Sequence, residues 1–223
     1  MPLASQPLIA AVDAAASAEE LLRAVRQLAA AIAPGVERQA LVCLVRVLGY
    51  NNPGAAVAAV DGLIAAGPAA VDPLLEGLDD HNYGARAWAV RALAGIGDVR
   101  GLELLEQALG QDIGPSVRRA AARGLGQLQL EALAPDRADA VRERCLLALE
   151  RSAADGEWVV RYAVSVALES LARDLAADDH RRHRAAATLG RLGQPDREDT
   201  LVVRQRAALA LRRLNPPLSS PAA

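Results

Sequence analysis

Six consecutive residues, Asp79-Asp80-His81-Asn82-Tyr83-Gly84, put two carboxylates, an imidazole, an amide and a phenol into one short segment. Asp80 and His81 are the candidate acid–base pair of the chain, since a carboxylate and an imidazole in one turn can pass a proton to or from a ligand. A polar turn of this composition also caps a helix N-terminus, and both readings stand. Just downstream, Arg86 and Arg91, together with Arg123 further on, offer planar guanidinium groups that suit bidentate recognition of carboxylates. The aromatics are Tyr50, Tyr83, Trp88, Trp158 and Tyr162, with no Phe at all. Large rigid side chains with a polar end suit ligand or partner contact; the alternative for Trp88, between Ala87 and Ala89, is to fill a gap in a core of small residues.

Other chemistries are disfavoured. All 25 basic residues are Arg, so Schiff-base and lysine-nucleophile mechanisms are excluded. Cys43 and Cys145 lie far apart in apolar stretches without an adjacent base, as packing residues do. His180 and His183 stand at i, i+3 beside Asp178 and Asp179, a spacing that metal ligands use. Arg181, Arg182 and Arg184 oppose a cation there, and no metal is expected. A formal net charge of −2 provides no global field for nucleic acid. The Arg-rich stretch 204–213 lacks interleaved aromatics and reads as a solvated helix face. The N-terminus lacks a basic segment followed by an apolar core, and no apolar run reaches the length of a membrane span. A soluble, cytoplasmic protein is expected.

The elements that position these residues are repeated. Arg86–Leu93, Arg118–Leu125, Arg161–Leu168 and Arg204–Leu211 each open with Arg and close with Leu seven residues later. Asp80, Asp112, Asp155 and Glu198 stand six residues before each Arg, and the Arg residues are 32, 43 and 43 apart. Ala56–Leu63 is a weaker upstream copy. Periods of this size with helical apolar spacing mark stacked helix pairs. First helices are expected near 37–48, 68–78, 98–109, 136–153 and 178–192, with apolar residues at i, i+3, i+4 and i+7, as in Val71, Leu74, Leu75 and Leu78. Ser17 with Glu20 is a capping box that opens an earlier helix, to about Ala33. The acidic–Arg pairs are expected to be architecture, with turn carboxylates capping helices and Arg stacking between repeats.

Composition agrees with this scheme. Apolar residues make up 52% of 223 residues while aromatics make up 2%, so the core is Ala-rich and requires closely approaching helices rather than sheets. The expected fold is therefore all-α: an α-α superhelix, a HEAT-like repeat solenoid of about five helix pairs plus an N-terminal capping pair. One domain is expected over 1–215, with a disordered tail over 216–223. The second helices of such a solenoid line its concave face, where the aromatics cluster.

The runs Leu48–Leu63 and Asp80–Asp98, the latter containing Asn82-Tyr83-Gly84-Ala85-Arg86-Ala87-Trp88, resemble the F-type subunit of cyanobacterial phycobiliprotein bilin lyases. Ser116–Gly126 and Glu157–Ala163 continue the likeness. The resemblance implies a heterodimer with an E-type subunit. That heterodimer attaches phycocyanobilin, an open-chain tetrapyrrole, through a thioether to a cysteine of the apo-phycocyanin α-subunit, for phycobilisome assembly in the cytosol near the thylakoid surface. The bilin is then substrate, not a permanently bound cofactor, and the nucleophile belongs to the acceptor. Tyr83, Arg86, Trp88, Arg91, Arg123 and Trp158 become candidate bilin contacts, with Asp80 or His81 as acid–base group. One related F-type subunit also isomerises the bilin, an activity associated with a His/Cys-containing segment. Here the stretch Asn51–Ala55 reads Asn-Asn-Pro-Gly-Ala, which argues against isomerisation. The competing reading from the repeat alone is a non-catalytic HEAT scaffold, with a bilin carrier or phycobilisome-disassembly factor between the two.

Overall fold

Pro, Ser and Asn at helix starts set the helix boundaries in this chain. The computed structural model describes residues 5–32, 37–77 and 82–214, and among these there are helices and no strand. The expected tail over 216–223 lies outside the described residues. Contacts divide the chain into two compact units, Met1–Gly101 and Leu102–Ala223.

In the first unit, α1 (Gln6–Asp13) and α2 (Ala18–Ala30) form the N-terminal pair, followed by α3 (Arg38–Val47) with α4 (Pro53–Ala66), and α5 (Val71–Glu76) with α6 (Tyr83–Ile96). The Ser17 hydroxyl accepts a hydrogen bond from the Glu20 amide at 3.2 Å. The Glu20 carboxylate reaches back to the Ala16 amide at 2.9 Å, one residue before the cap itself. Pro53 occupies the first turn of α4, where its missing N–H costs nothing. The second helices α2, α4 and α6 pack in sequence, and α1, α3 and α5 pack behind them.

The second unit repeats the plan with α7 (Leu102–Gln111) and α8 (Pro115–Leu125), α9 (Pro135–Ser152) and α10 (Trp158–Arg173), and α11 (His180–Leu192) and α12 (Leu201–Leu214). Here α8, α10 and α12 form one row and α7, α9 and α11 the other. The closing Leu is core in four of the five copies: Leu63, Leu93, Leu125 and Leu168 are fully buried, and Leu211 is half-buried. Each such side chain contributes about 1.5–3 kcal/mol by leaving water. A Cβ on Gly126 would stand 2.5 Å from Cα of Ala167 on α10, so α8 closes on its neighbour at a distance that only small residues permit.

Pro53–Glu76 is long and apolar enough to cross a bilayer by length and composition. It is not one helix. Gly67, at φ 61°, ends α4 in a conformation that a side chain would strain, and a 3-10 turn over Gly67–Ala70 leads into α5. Ala56, Val60, Leu63 and Leu74 from this stretch are buried inside the first unit, as core helices require.

Candidate functional site

The acidic–Arg series is architecture in the second unit. Arg118 forks onto Asp155 through Nε at 2.7 Å and Nη2 at 2.9 Å, while its Nη1 donates to the Asp112 carbonyl at 2.9 Å. Arg161 repeats the arrangement on Glu198, at 2.6 and 2.7 Å, with Nη1 on the Asp155 carbonyl at 2.8 Å. Arg204 Nη1 donates to the Glu198 carbonyl at 2.7 Å. The carboxylates of Asp112, Asp155 and Glu198 also tighten their turns, accepting from the amides of Gly114, Glu157 and Thr200 two residues on, at 2.8–2.9 Å. The Arg161 fork holds the Glu198 carboxyl down at about 2. Burial pushes Asp155 up, but bonds from Arg118 and the Glu157 amide outweigh it, so its carboxyl lies below the usual range. These charges are spent on holding repeats together.

In the first unit asparagines stand at the equivalent joints. Asn52 caps α4 by accepting from the Ala55 amide at 3.0 Å and donates to the Ala18 carbonyl at 2.9 Å. Asn82 caps α6 through the Ala85 amide at 3.0 Å and donates to the Gly49 carbonyl at 3.4 Å. Asn82 is therefore a structural member of the polar segment. Asp80 and His81 lie outside the described residues.

From this cap, α6 carries two aromatic–guanidinium pairs. Tyr83, its first residue, is 41% exposed. Arg86 lies over the Tyr83 ring at 5.6 Å and Arg91 over the Trp88 ring at 5.5 Å. Trp88 is half-buried, and Arg91 is exposed. Two aromatic faces, each paired with a guanidinium three residues on, thus share one helix. Such pairs contribute about 0.5–1 kcal/mol each and hold the rings in place. Four of the expected contacts thus lie on α6 as two pairs, about 140° apart around the helix at 100° per residue, and each pair offers a π surface beside a carboxylate donor.

In the second unit, Trp158 opens α10 as Tyr83 opens α6, and it is 46% exposed. Arg123, on α8, is exposed and donates from Nε to Gln127 Oε1 at 3.2 Å. Two shallow clefts, of about 300 and 400 Å³, lie in this unit and hold none of the expected contact residues. Burial raises both thiols, that of Cys145 to about 12, so both are inert packing groups. Among the described residues no cluster of His, Cys, Asp and Glu is arranged to hold a metal.

One expectation is corrected. The stretch 204–213 is not simply a solvated face: Arg206 is 10% exposed and bonds Glu169, itself 1% exposed, at 2.5 Å. Glu169 stands eight residues past Arg161, a slot that holds Ala94 and Gly126 in other copies. A carboxylate where two neighbouring copies hold a small residue was the available signal. The partners were hidden because they lie 37 and 44 residues away, on the next helix of the row.

The profile for HEAT repeats matches residues 51–126 and 71–169, more than half of the chain. Stacked helix pairs with paired turn charges thus define a HEAT-repeat protein. Among curated proteins, the chain is 48% identical over 211 residues to a phycobilisome maturation protein of Synechococcus elongatus, covering 94% of this chain and 98% of that one. It is 52% identical over 166 residues to the phycocyanin alpha phycocyanobilin lyase CpcF of Synechocystis sp., covering 74% and 76%. Among solved structures, the complex of CpcE and CpcF of phycocyanin lyase from Nostoc sp. matches with TM-score 0.69 and 38% identity, over 78% of this chain and 99% of that one. The chain belongs to the CpcF-type family of phycocyanobilin lyase subunits.

Proposed function

We propose that this chain is the F-type half of a heterodimeric lyase that joins phycocyanobilin to a cysteine of the phycocyanin α-subunit. The observation that carries the reading is the two aromatic–guanidinium pairs of α6, Tyr83 with Arg86 and Trp88 with Arg91, in a chain whose solved relative is a CpcE–CpcF complex. A bilin is a conjugated chain with two propionates. Aromatic rings hold the conjugated part by stacking, and guanidinium groups hold the carboxylates through paired N–H donors. In the other unit, Trp158 and Arg123 supply an indole and a guanidinium of the same kinds.

The reaction is an addition. The acceptor's thiol sulfur forms a carbon–sulfur bond, the conjugated system of the bilin takes up the thiol proton, and nothing leaves. The chain need supply no nucleophile, consistent with two buried thiols. Its work is to hold a flexible substrate in one attack geometry, where most of the rate gain of such a step lies. Asp80 and His81, next to the Asn82 cap, are proposed as the groups that move the proton, on their sequence position alone. The bilin passes through as substrate, and assembly takes place in the cytosol near the thylakoid.

The test is coexpression of the chain with an E-type subunit, the apo-phycocyanin α-subunit and phycocyanobilin. A covalent, red-absorbing adduct on the acceptor supports the lyase. Tight partner binding without bilin uptake supports a scaffold instead.

A further inference from the structure

The cluster around Glu169 has more charge than its architecture needs. Arg206 meets Glu169 Oε2 at 2.5 Å, while Arg213 and Arg173 approach Oε1 at 3.2 and 3.4 Å. Three cations on one carboxylate leave a local charge of +2 (three minus one). Arg206 is nine-tenths buried, and its Nη1 has no hydrogen-bond partner. A buried donor without an acceptor is costly, and native structures rarely keep one without reason. Burial pushes Glu169 up but its Arg partners outweigh this, so the carboxylate stays charged and does not itself relieve the excess. If the cluster served only to tie α12 to α10, the Arg206–Glu169 pair would suffice. Arg213 and Arg173 are 57% and 61% exposed and held by long bonds, so they are placed to turn toward an incoming anion.

The neighbouring surface says what kind of anion. At 100° per residue, Trp158, Tyr162 and Glu169 fall within about 40° of one another on α10, spread over about 16 Å of its length. Trp158 is exposed and Tyr162 half-buried. Arg206 stands two residues past Arg204, the slot that Trp88 holds relative to Arg86. One helix face thus leads from two aromatic rings to a cation-rich cluster of donors. This suits a flat conjugated molecule that carries a carboxylate on a flexible arm.

We propose that Arg206, Arg213 and Arg173 form a carboxylate-binding site whose occupant is a propionate of the bilin. The assignment rests on the lyase reading above. It is tested with the full chain paired with its E-type partner, titrated by absorption with phycocyanobilin and, separately, with its dimethyl ester. The paired substitution Arg213→Gln and Arg173→Gln touches only exposed side chains and leaves the Arg206–Glu169 pair intact. It is expected to weaken binding of the free acid by about tenfold, the scale of a lost charge-assisted contact, and to leave the ester unchanged. Arg206→Gln, checked for folding by circular dichroism, is expected to do the same more strongly. Equal losses for acid and ester, or no loss for either, overturn the site while the lyase reading stands. Weakened E-subunit binding with undiminished acid affinity gives the site to a protein carboxylate and overturns the bilin assignment. A wild-type pair that takes up neither form removes the lyase reading, and the assignment with it.

Discussion

The two units join their helix pairs at the same place with different chemistry. In the first, the amides of Asn52 and Asn82 each cap a second helix and reach a carbonyl of the preceding pair. In the second, Arg118 and Arg161 fork forward onto Asp155 and Glu198 of the following pair. A neutral joint is weaker but indifferent to pH and salt. A buried ion-pair joint is stiff while both partners remain and costly when one is lost. On α6 the guanidiniums of Arg86 and Arg91 lie over aromatic rings. On α8 and α10 the ladder Arg is committed to carboxylates.

Removing one partner of a fork gives the largest expected effect. Arg161→Ala leaves Glu198, 1% exposed, without its counter-charge, and is expected to cost about 3–5 kcal/mol, read as a lower urea midpoint. Acid is expected to separate the units next. The folded Glu198 carboxyl titrates near 2, below its ordinary 4.5. Its contribution is therefore present above about pH 4.5 and is lost as pH falls toward 2. Hydrogen exchange should show α10–α12 losing protection through that window ahead of α2–α6. Equal acid sensitivity of both units would contradict the contrast. Asn82→Ala removes a cap and is expected to cost about 1 kcal/mol, with no dependence on pH between 2 and 7. Arg91→Ala, at an exposed position, is expected to change the unfolding free energy by less than about 0.5 kcal/mol, so that any effect on bilin uptake reflects contact and not folding.

Much of this plan was legible in sequence because the repeat puts like residues in like slots. Four Arg-to-Leu octets located α6, α8, α10 and α12, and Asp155 and Glu198 foretold the forks. Val71, Leu74 and Leu75 marked α5 by spacing alone. The asparagine joints were not foreseen. Asn52 and Asn82 read as turn punctuation, since the second bond of each amide goes to a residue 34 or 33 positions earlier, and no pattern of charge betrays it. Glu169 was passed over for the same physical reason. Its partners sit on the adjacent helix, so only stacking brings them within reach. On the candidate site, the sequence placed Tyr83, Arg86, Trp88 and Arg91 on one helix. It did not reveal that the two Arg side chains would lie over the two rings.

The central claim is that α6, through Trp88 and Arg91, holds the bilin while the acceptor's thiol performs the attack. The most direct test is transfer by the double variant Trp88→Ala and Arg91→Ala, assembled with the E-type subunit and supplied with phycocyanobilin and apo-phycocyanin α-subunit. The account predicts a normally folded pair whose covalent yield at limiting bilin falls by about tenfold or more, the scale of losing an aromatic anchor and its cation. Wild-type bilin affinity and wild-type adduct yield from that variant would contradict it.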